Sequence, residues 1–167
     1  LGQIVQSNAL SFFHLSSPDL LFGFDAPVEK RNIVGVAAVA PEVARKGVLL
    51  RKYGQEIIRH TAGKRVHGTG SVPGGVNKNL TRAERAGLLG EIDTIVEWSR
   101  EAVGIIRKLF ADNAKLYASF GRFDSNRLSL VRADGALDLY HGGLRATDGK
   151  GGTIFDHADY QNYYEYL

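Results

Sequence analysis

The sequence predicts a helix-dominated α+β fold, and three observations carry that prediction. Apolar residues recur at three- and four-residue steps from Pro41 to Ile58, and again from Thr81 to about Phe110. Beyond Asn113 the period changes to two, and glycine-bearing turn pairs separate the short apolar runs. Long helices followed by a small sheet, with no internal repeat or low-complexity tract, make one unit of a larger subunit. Within it, 1–112 is helical with a glycine-rich loop at 63–78, 113–155 is a small antiparallel β-meander, and 156–167 starts a further helix.

The first twenty residues read as a helix, because Ile4, Val5, Leu10, Phe12, Phe13 and Leu15 form a broad apolar face that predicts burial on most sides. Ser16-Ser17-Pro18-Asp19 is expected to end it, since proline pushes the preceding residue out of the α region. A loop follows through Pro27. From Pro41, which suits a first helical turn, Val43, Gly47, Leu50, Tyr53, Gly54, Ile57 and Ile58 continue the helical pattern until Gly63 stops it. Thr81-Arg82-Ala83-Glu84 has the form of a capping box, opening a helix whose apolar face runs from Leu88 to Phe110. Leu128 and Leu130, Ala136–Tyr140, Leu144–Thr147 and Thr153–Phe155 are expected strands, joined at Asp134-Gly135, Gly142-Gly143 and Asp148-Gly149. Asp156 is expected to cap a last helix carrying Tyr160, Tyr163, Tyr164 and Tyr166, cut off at Leu167.

Composition narrows the chemistry. The 167 residues contain no cysteine, which excludes disulfides, thiolate catalysis and cysteine-bound zinc or iron–sulfur clusters within them. Lys and Arg exceed Asp and Glu by 21 to 18, but they are dispersed and form no basic stripe with interleaved aromatics, so no nucleic-acid partner is expected. No apolar run approaches the roughly 20 residues of a membrane span, and no leader pattern opens the chain. Leu1 in place of an initiator Met, and the absence of any Met, predict a segment of a longer polypeptide.

Familiar motifs fail on inspection. Gly68 and Gly70 begin like a dinucleotide fingerprint, but Pro73 occupies the third glycine position and the next helix starts too late to receive a pyrophosphate. Gly63-Lys64 is followed by Arg65 where a phosphate loop needs Ser or Thr, and Ile58 stands where its first glycine belongs. No G-x-S-x-G elbow accompanies the Ser, His and Asp residues. Of the five histidines, no two lie four residues apart as a helical zinc pair would. His14 is expected as a hydrogen-bonded core residue, His60 as ornament near a helix C-terminus, and His141 and His157 as exposed polar residues. His67 differs. It follows Lys64 and Arg65 and precedes the bend-prone Gly68, Gly70, Pro73, Gly74 and Gly75, a setting that suits an imidazole facing an anionic cluster or phosphate.

Three segments together resemble the large subunit of [NiFe] hydrogenases, nearest to the soluble NAD-reducing bidirectional type: LGQIVQSNALSFFHLSSPD over 1–19, GKRVHGTGSVPGGVNK over 63–78, and GALDLYHGGLRATD over 135–148. The resemblance spans essentially the whole chain. It implies a piece of the nickel-dependent large-subunit fold, the stretch between two C-x-x-C pairs whose thiolates hold the nickel–iron centre. These residues would then supply no metal ligand and no assigned catalytic group. Ser7 and Asn8 match positions near the metal centre, although the usual residue at 8 is His and an amide cannot relay a proton as imidazole does. His67 matches a histidine near the proximal iron–sulfur cluster of the small subunit, where an N–H donor stabilises the reduced cluster and raises its potential. Arg65, Pro73, Gly74 and Gly75 would shape that contact between subunits. The implied assembly is a cytoplasmic hetero-oligomer, with iron–sulfur clusters, FMN and NAD carried by diaphorase-type subunits and the small subunit.

A second resemblance, to the quinone-site subunit of respiratory complex I or a hydrogenase-like subunit without nickel, rests on Arg65-x-His67 followed by Pro73-Gly74-Gly75-Val76. The segments at 3–19 and 139–143 favour the hydrogenase. A stand-alone helical interaction module without redox chemistry is the third expectation.

Overall fold

A computed structural model of the chain describes residues 1–158, an α+β arrangement with a helical majority and small antiparallel sheets. The packing divides into a helical unit, Leu1–Ala114, and a smaller unit beginning at Lys115.

In the helical unit, α1 (Gly2–Ala9) passes into a π-helical segment (Leu10–Ser16) and then α2 (Ser17–Phe22). The expected break at Ser16–Asp19 is therefore corrected: the helical path continues through Pro18 and stops at Gly23, whose φ is +86°. The wider turn explains this. In a π ladder the missing N–H of Pro18 would have bonded the Phe13 carbonyl, and the Ser17 hydroxyl donates to that carbonyl instead at 2.5 Å. Burial is also narrower than expected, because Phe13 and Ala9 face inward while Leu1, Ile4 and Leu15 remain exposed. His14 is half-buried, and its Nδ1 has no hydrogen-bond partner among the described residues, contrary to the expected core hydrogen bond.

Between Pro27 and Pro41 lies α3 (Ile33–Val39), which periodicity alone does not announce. Its signal is Asn32, whose side-chain oxygen accepts from the N–H groups of Val34 and Gly35 at 2.9 and 3.0 Å. α4 (Pro41–Ala62) begins with Pro41 and ends at left-handed Gly63, φ +79°, as its sequence predicts. α1 lies along α4 at very close range. A Cβ on Gly54 would stand 2.5 Å from the Gln6 nitrogen, and one on Gly47 would stand 2.5 Å from Phe13. The core gathers there: Ala9, Phe13, Leu50, Tyr53 and Ile95, with Val5, Phe12, Leu88 and Trp98 packed against it.

Tyr53 donates its hydroxyl to the Leu88 carbonyl at 3.0 Å, tying α4 to α5 (Arg82–Asp112). The capping box is complete, with Thr81 Oγ1 accepting from the Glu84 N–H and Glu84 accepting from the Thr81 N–H. Thr81→Ala should therefore lower stability by about 1 kcal/mol in urea unfolding followed by far-ultraviolet circular dichroism. No loss would mean that the cap is redundant.

In the smaller unit, α6 (Ala114–Ser119) precedes an antiparallel sheet of β3 (Arg127–Val131), β4 (Gly143–Thr147) and β5 (Thr153–Ala158), in the spatial order of the chain. Leu130 pairs with Leu144 and Leu128 with Ala146. The expected strand at Ala136–Tyr140 is a turn, joined to β3 by one bridge between Val131 and Leu137. Asp138 causes this, since its carboxylate accepts from the N–H groups of Tyr140 and His141, both at 2.9 Å, and closes the backbone locally. Those two bonds also lower its pKa, the His141 one first. The expected helical cap at Asp156 is likewise corrected: Asp156 lies in β5 and pairs with Arg145 at 2.8 Å. The tyrosines expected on the last helix lie outside the described residues.

Candidate functional site

The loop between α4 and α5 contains most of the residues singled out from the sequence, and two carboxylates hold its ends. Glu56, on α4, accepts from Arg59 Nε at 2.7 Å and from Arg65 Nε at 2.6 Å, with Arg65 Nη2 at 2.5 Å. Glu84, on the first turn of α5, accepts from Lys78 Nζ at 2.7 Å and from the Thr81 N–H and hydroxyl at 2.9 Å. His60 Nδ1 lies 3.0 Å from the same carboxylate, and its Nε2 lies 2.9 Å from Arg59 Nη2. Since a guanidinium only donates, this network assigns the tautomer: Nδ1 carries the proton toward Glu84, and Nε2 accepts. Lys78 also donates to the His60 carbonyl at 3.0 Å.

His60 is thus a working member of a clamp, not the ornament expected. Glu56, Lys78 and Glu84 are members that sequence reasoning missed. The available signal was Glu84 as third residue of the capping box, together with Glu56 and His60 one helical turn apart. Hydrogen bonds from Lys78, then Thr81 and His60, hold the Glu84 carboxyl far below the usual carboxylate range. The Arg59 bond, joined by Arg65, lowers that of Glu56. With folded pKa values depressed, the clamp's contribution is complete above the ordinary glutamate pKa of about 4.3 and declines as pH falls below it.

Between the clamped ends the loop turns outward. His67 is exposed with φ +51°, a left-handed backbone that costs a non-glycine residue about 1 kcal/mol. Gly68 folds back against the end of α4, where a Cβ would stand 2.5 Å from that of Ala62. A short hairpin, β1 (Ser71–Val72) and β2 (Gly75–Val76), carries Pro73 and Gly74 at its corner, with Gly74 at φ +85°. A Cβ on Gly75 would meet nothing within 4 Å, so no close neighbour within the chain requires that glycine. Val66, Val72 and Val76 are exposed beside the basic residues, giving the loop a mixed apolar and cationic outer face.

Ser7 and Asn8 lie elsewhere, on α1. The Ser7 hydroxyl and the Asn8 amide both donate to the Ile4 carbonyl, at 3.3 and 2.8 Å. Asn8 also borders an apolar groove of about 280 Å³ with Ile4, Phe12, Ser99, Val103 and Ile106. The sequence-predicted residues therefore form two groups: Ser7 and Asn8 on α1, and Arg65, His67, Pro73, Gly74 and Gly75 on the clamped loop.

Similarity to known proteins bears on the three expectations. No family model matches the chain. It is 49% identical to a chain from the crystal structure of a NAD+-reducing [NiFe]-hydrogenase in the H2-reduced state, with a TM-score of 0.89 over 98% of its own length and 36% of that chain. It is 35% identical over 98% of its length to the NAD-reducing hydrogenase HoxS subunit beta of Cupriavidus necator, covering 35% of that protein. Its homologues are hydrogenase subunits. A third relative, from the vhu F420-non-reducing hydrogenase of Methanocaldococcus jannaschii, is 38% identical over 98% of the chain and is covered to 39%. The chain thus spans little more than a third of the length of these hydrogenase subunits.

The residues present do not constitute a nickel–iron site. The chain has no cysteine, and among the described residues no three His, Asp or Glu side chains come together to hold a metal ion. No helix among them is long and apolar enough to cross a membrane.

Proposed function

We propose that the chain is the central, cysteine-free segment of the catalytic large subunit of a cytoplasmic NAD-linked [NiFe] hydrogenase. The observation that carries this reading is the 49% identity and TM-score of 0.89 to a chain of a NAD+-reducing [NiFe]-hydrogenase over 98% of these residues. When bound to thiolates contributed outside the segment, the nickel–iron centre supplies Lewis-acid chemistry for heterolytic cleavage of H2.

The segment's own residues shape the surroundings of that chemistry. The loop of Arg65, His67, Pro73, Gly74 and Gly75 faces the iron–sulfur subunit, and His67 offers an N–H to its proximal cluster. Arg65 is spent on Glu56, so it positions the loop and leaves the imidazole as the outward donor. Ser7 and Asn8 lie near the metal centre. Asn8 fixes orientation by hydrogen bonding and moves no proton, because an amide does not titrate near neutral pH. In such an assembly electrons would leave through the small subunit toward FMN and NAD in diaphorase-type partners.

The test is the full-length gene and its purified product. Two C-x-x-C pairs flanking these residues, and nickel bound stoichiometrically by the intact subunit, are the expected results. A full-length subunit lacking both pairs and nickel contradicts the reading and favours the quinone-site alternative.

A further inference from the structure

The loop from Lys64 to Lys78 is tied at both ends into one unbroken chain of hydrogen bonds. It runs from Lys78 to Glu84, to His60, to Arg59, to Glu56 and finally to Arg65. Carboxylates only accept, and the lysine and arginines only donate. His60 is therefore the one member that must do both, donating from Nδ1 to Glu84 at 3.0 Å and accepting at Nε2 from Arg59 Nη2 at 2.9 Å. Only a neutral imidazole can do so. A proton at Nε2 would set one N–H against another, and the chain would break at Arg59.

The neighbours of the ring decide where that proton turns. The other carboxylate facing Nε2 is Glu56, one helical turn away, whose Oε2 lies at 3.8 Å and already accepts from Arg59 Nε at 2.7 Å. Arg59, Arg65 and Lys78 share two carboxylates, so an imidazolium would compete with cations already in place. The side chains of His60, Glu56 and Glu84 are only 16, 20 and 22% exposed, and solvent screens that competition weakly. A groove of about 480 Å³ between α4 and α5 borders the imidazole and gives it access to solvent protons. Lys52 and Glu91 also line the groove, and neither forms an ion pair with the ring.

We propose that His60 is a proton-sensitive latch on this loop. On gaining a proton at Nε2, the imidazole takes Glu56 from Arg59. In closing the 3.8 Å gap, the carboxylate draws its other oxygen away from Arg65. The loop then loses its hold on α4, while Lys78 keeps the far end on Glu84. Removal of the proton restores the chain. The latch acts whatever the outer face of the loop meets, and so goes beyond the hydrogenase reading; in that enzyme it would govern how firmly His67 is presented.

The test is hydrogen–deuterium exchange of the intact complex, read by mass spectrometry on peptides covering 64–78. Measurements at about pH 8 and about pH 5.5 bracket the range in which imidazoles titrate. After correction for the intrinsic pH dependence of exchange, the wild-type loop should exchange roughly tenfold faster at the lower pH, the effect of losing one charge-assisted tie. Peptides from the second half of α5 should not change, which separates the latch from general acid unfolding. His60→Gln copies the neutral ring, its amide N–H donating to Glu84 and its oxygen accepting from Arg59, but cannot titrate, so its loop should stay slow at both pH values. Glu56→Gln removes the carboxylate for which His60 and Arg65 compete, so its loop should be fast at both; failure of one variant to assemble leaves the other. His67→Gln should retain the wild-type response. A wild-type loop indifferent to pH overturns the proposal, as does acceleration that survives in His60→Gln or Glu56→Gln, a Glu56→Gln loop that stays slow, or a response lost in His67→Gln.

Discussion

Gly54→Val should destabilise the chain by about 3 kcal/mol or more, read as a lower urea midpoint with unchanged slope. A Cβ at this position would stand 2.5 Å from the Gln6 nitrogen and 2.8 Å from the Gly2 carbonyl oxygen. Both are backbone atoms, so no rotamer change in a neighbour relieves the clash and the two helices must separate. That separation would open the layer holding Ala9, Leu50 and Phe13. A loss of this size is a large part of the 5–15 kcal/mol that stabilises an ordinary domain, so partial unfolding is expected at 37 °C. Gly87→Ala is the control: a Cβ there meets nothing within 4 Å, and the better helix propensity should add up to about 1 kcal/mol. Equal effects from the two substitutions would refute the close crossing of α1 and α4.

Phe13→Ala should cost about 3 kcal/mol, the lower end for a buried aromatic. The ring is 5% exposed, meets Phe12 edge to face at 4.8 Å and fills the space left by Gly47. The lower end applies because Phe13 already borders the open groove on its other side, so its removal enlarges an existing concavity instead of leaving a sealed void. Phe13→Leu should recover more than half of the loss by keeping apolar volume against Gly47. A cost below about 1 kcal/mol for the alanine variant would show that the π-helical segment contributes little to the core.

The elements legible in the sequence are those whose cause is local. Pro41, Gly63 and the Thr81–Glu84 box bracket α4 and α5 through their own backbone chemistry, and the structure places those boundaries where the residues indicate. Elements misread from the sequence depend on a side chain that acts against its usual reading. Pro18 signals an end, yet the Ser17 hydroxyl supplies the missing bond to Phe13 and the helical path continues. Asp138 interrupts an alternating run that otherwise resembles a strand. In the candidate site, His67 and its glycine–proline hairpin stood out because residue type and backbone freedom are local properties. The clamp did not, since pairing His60 with Glu84 requires α4 and α5 to lie side by side, and pairing Glu56 with Arg65 requires the loop to fold back on α4.

That division bears on function. Glu56 and Glu84 fix the loop at both ends, while His67 stands exposed in a left-handed conformation that glycine would adopt more readily. Strain of this kind on a firmly held loop motivates the proposed role, in which the imidazole would face the proximal cluster of the iron–sulfur subunit.

The most direct measurement is a redox titration of that cluster, followed by electron paramagnetic resonance, in intact enzyme carrying His67→Ala. Loss of the N–H donor should lower the cluster's reduction potential and slow electron transfer, with nickel content and assembly of the complex unchanged. An unaltered potential, or loss of nickel in place of a change at the cluster, would contradict the placement of His67.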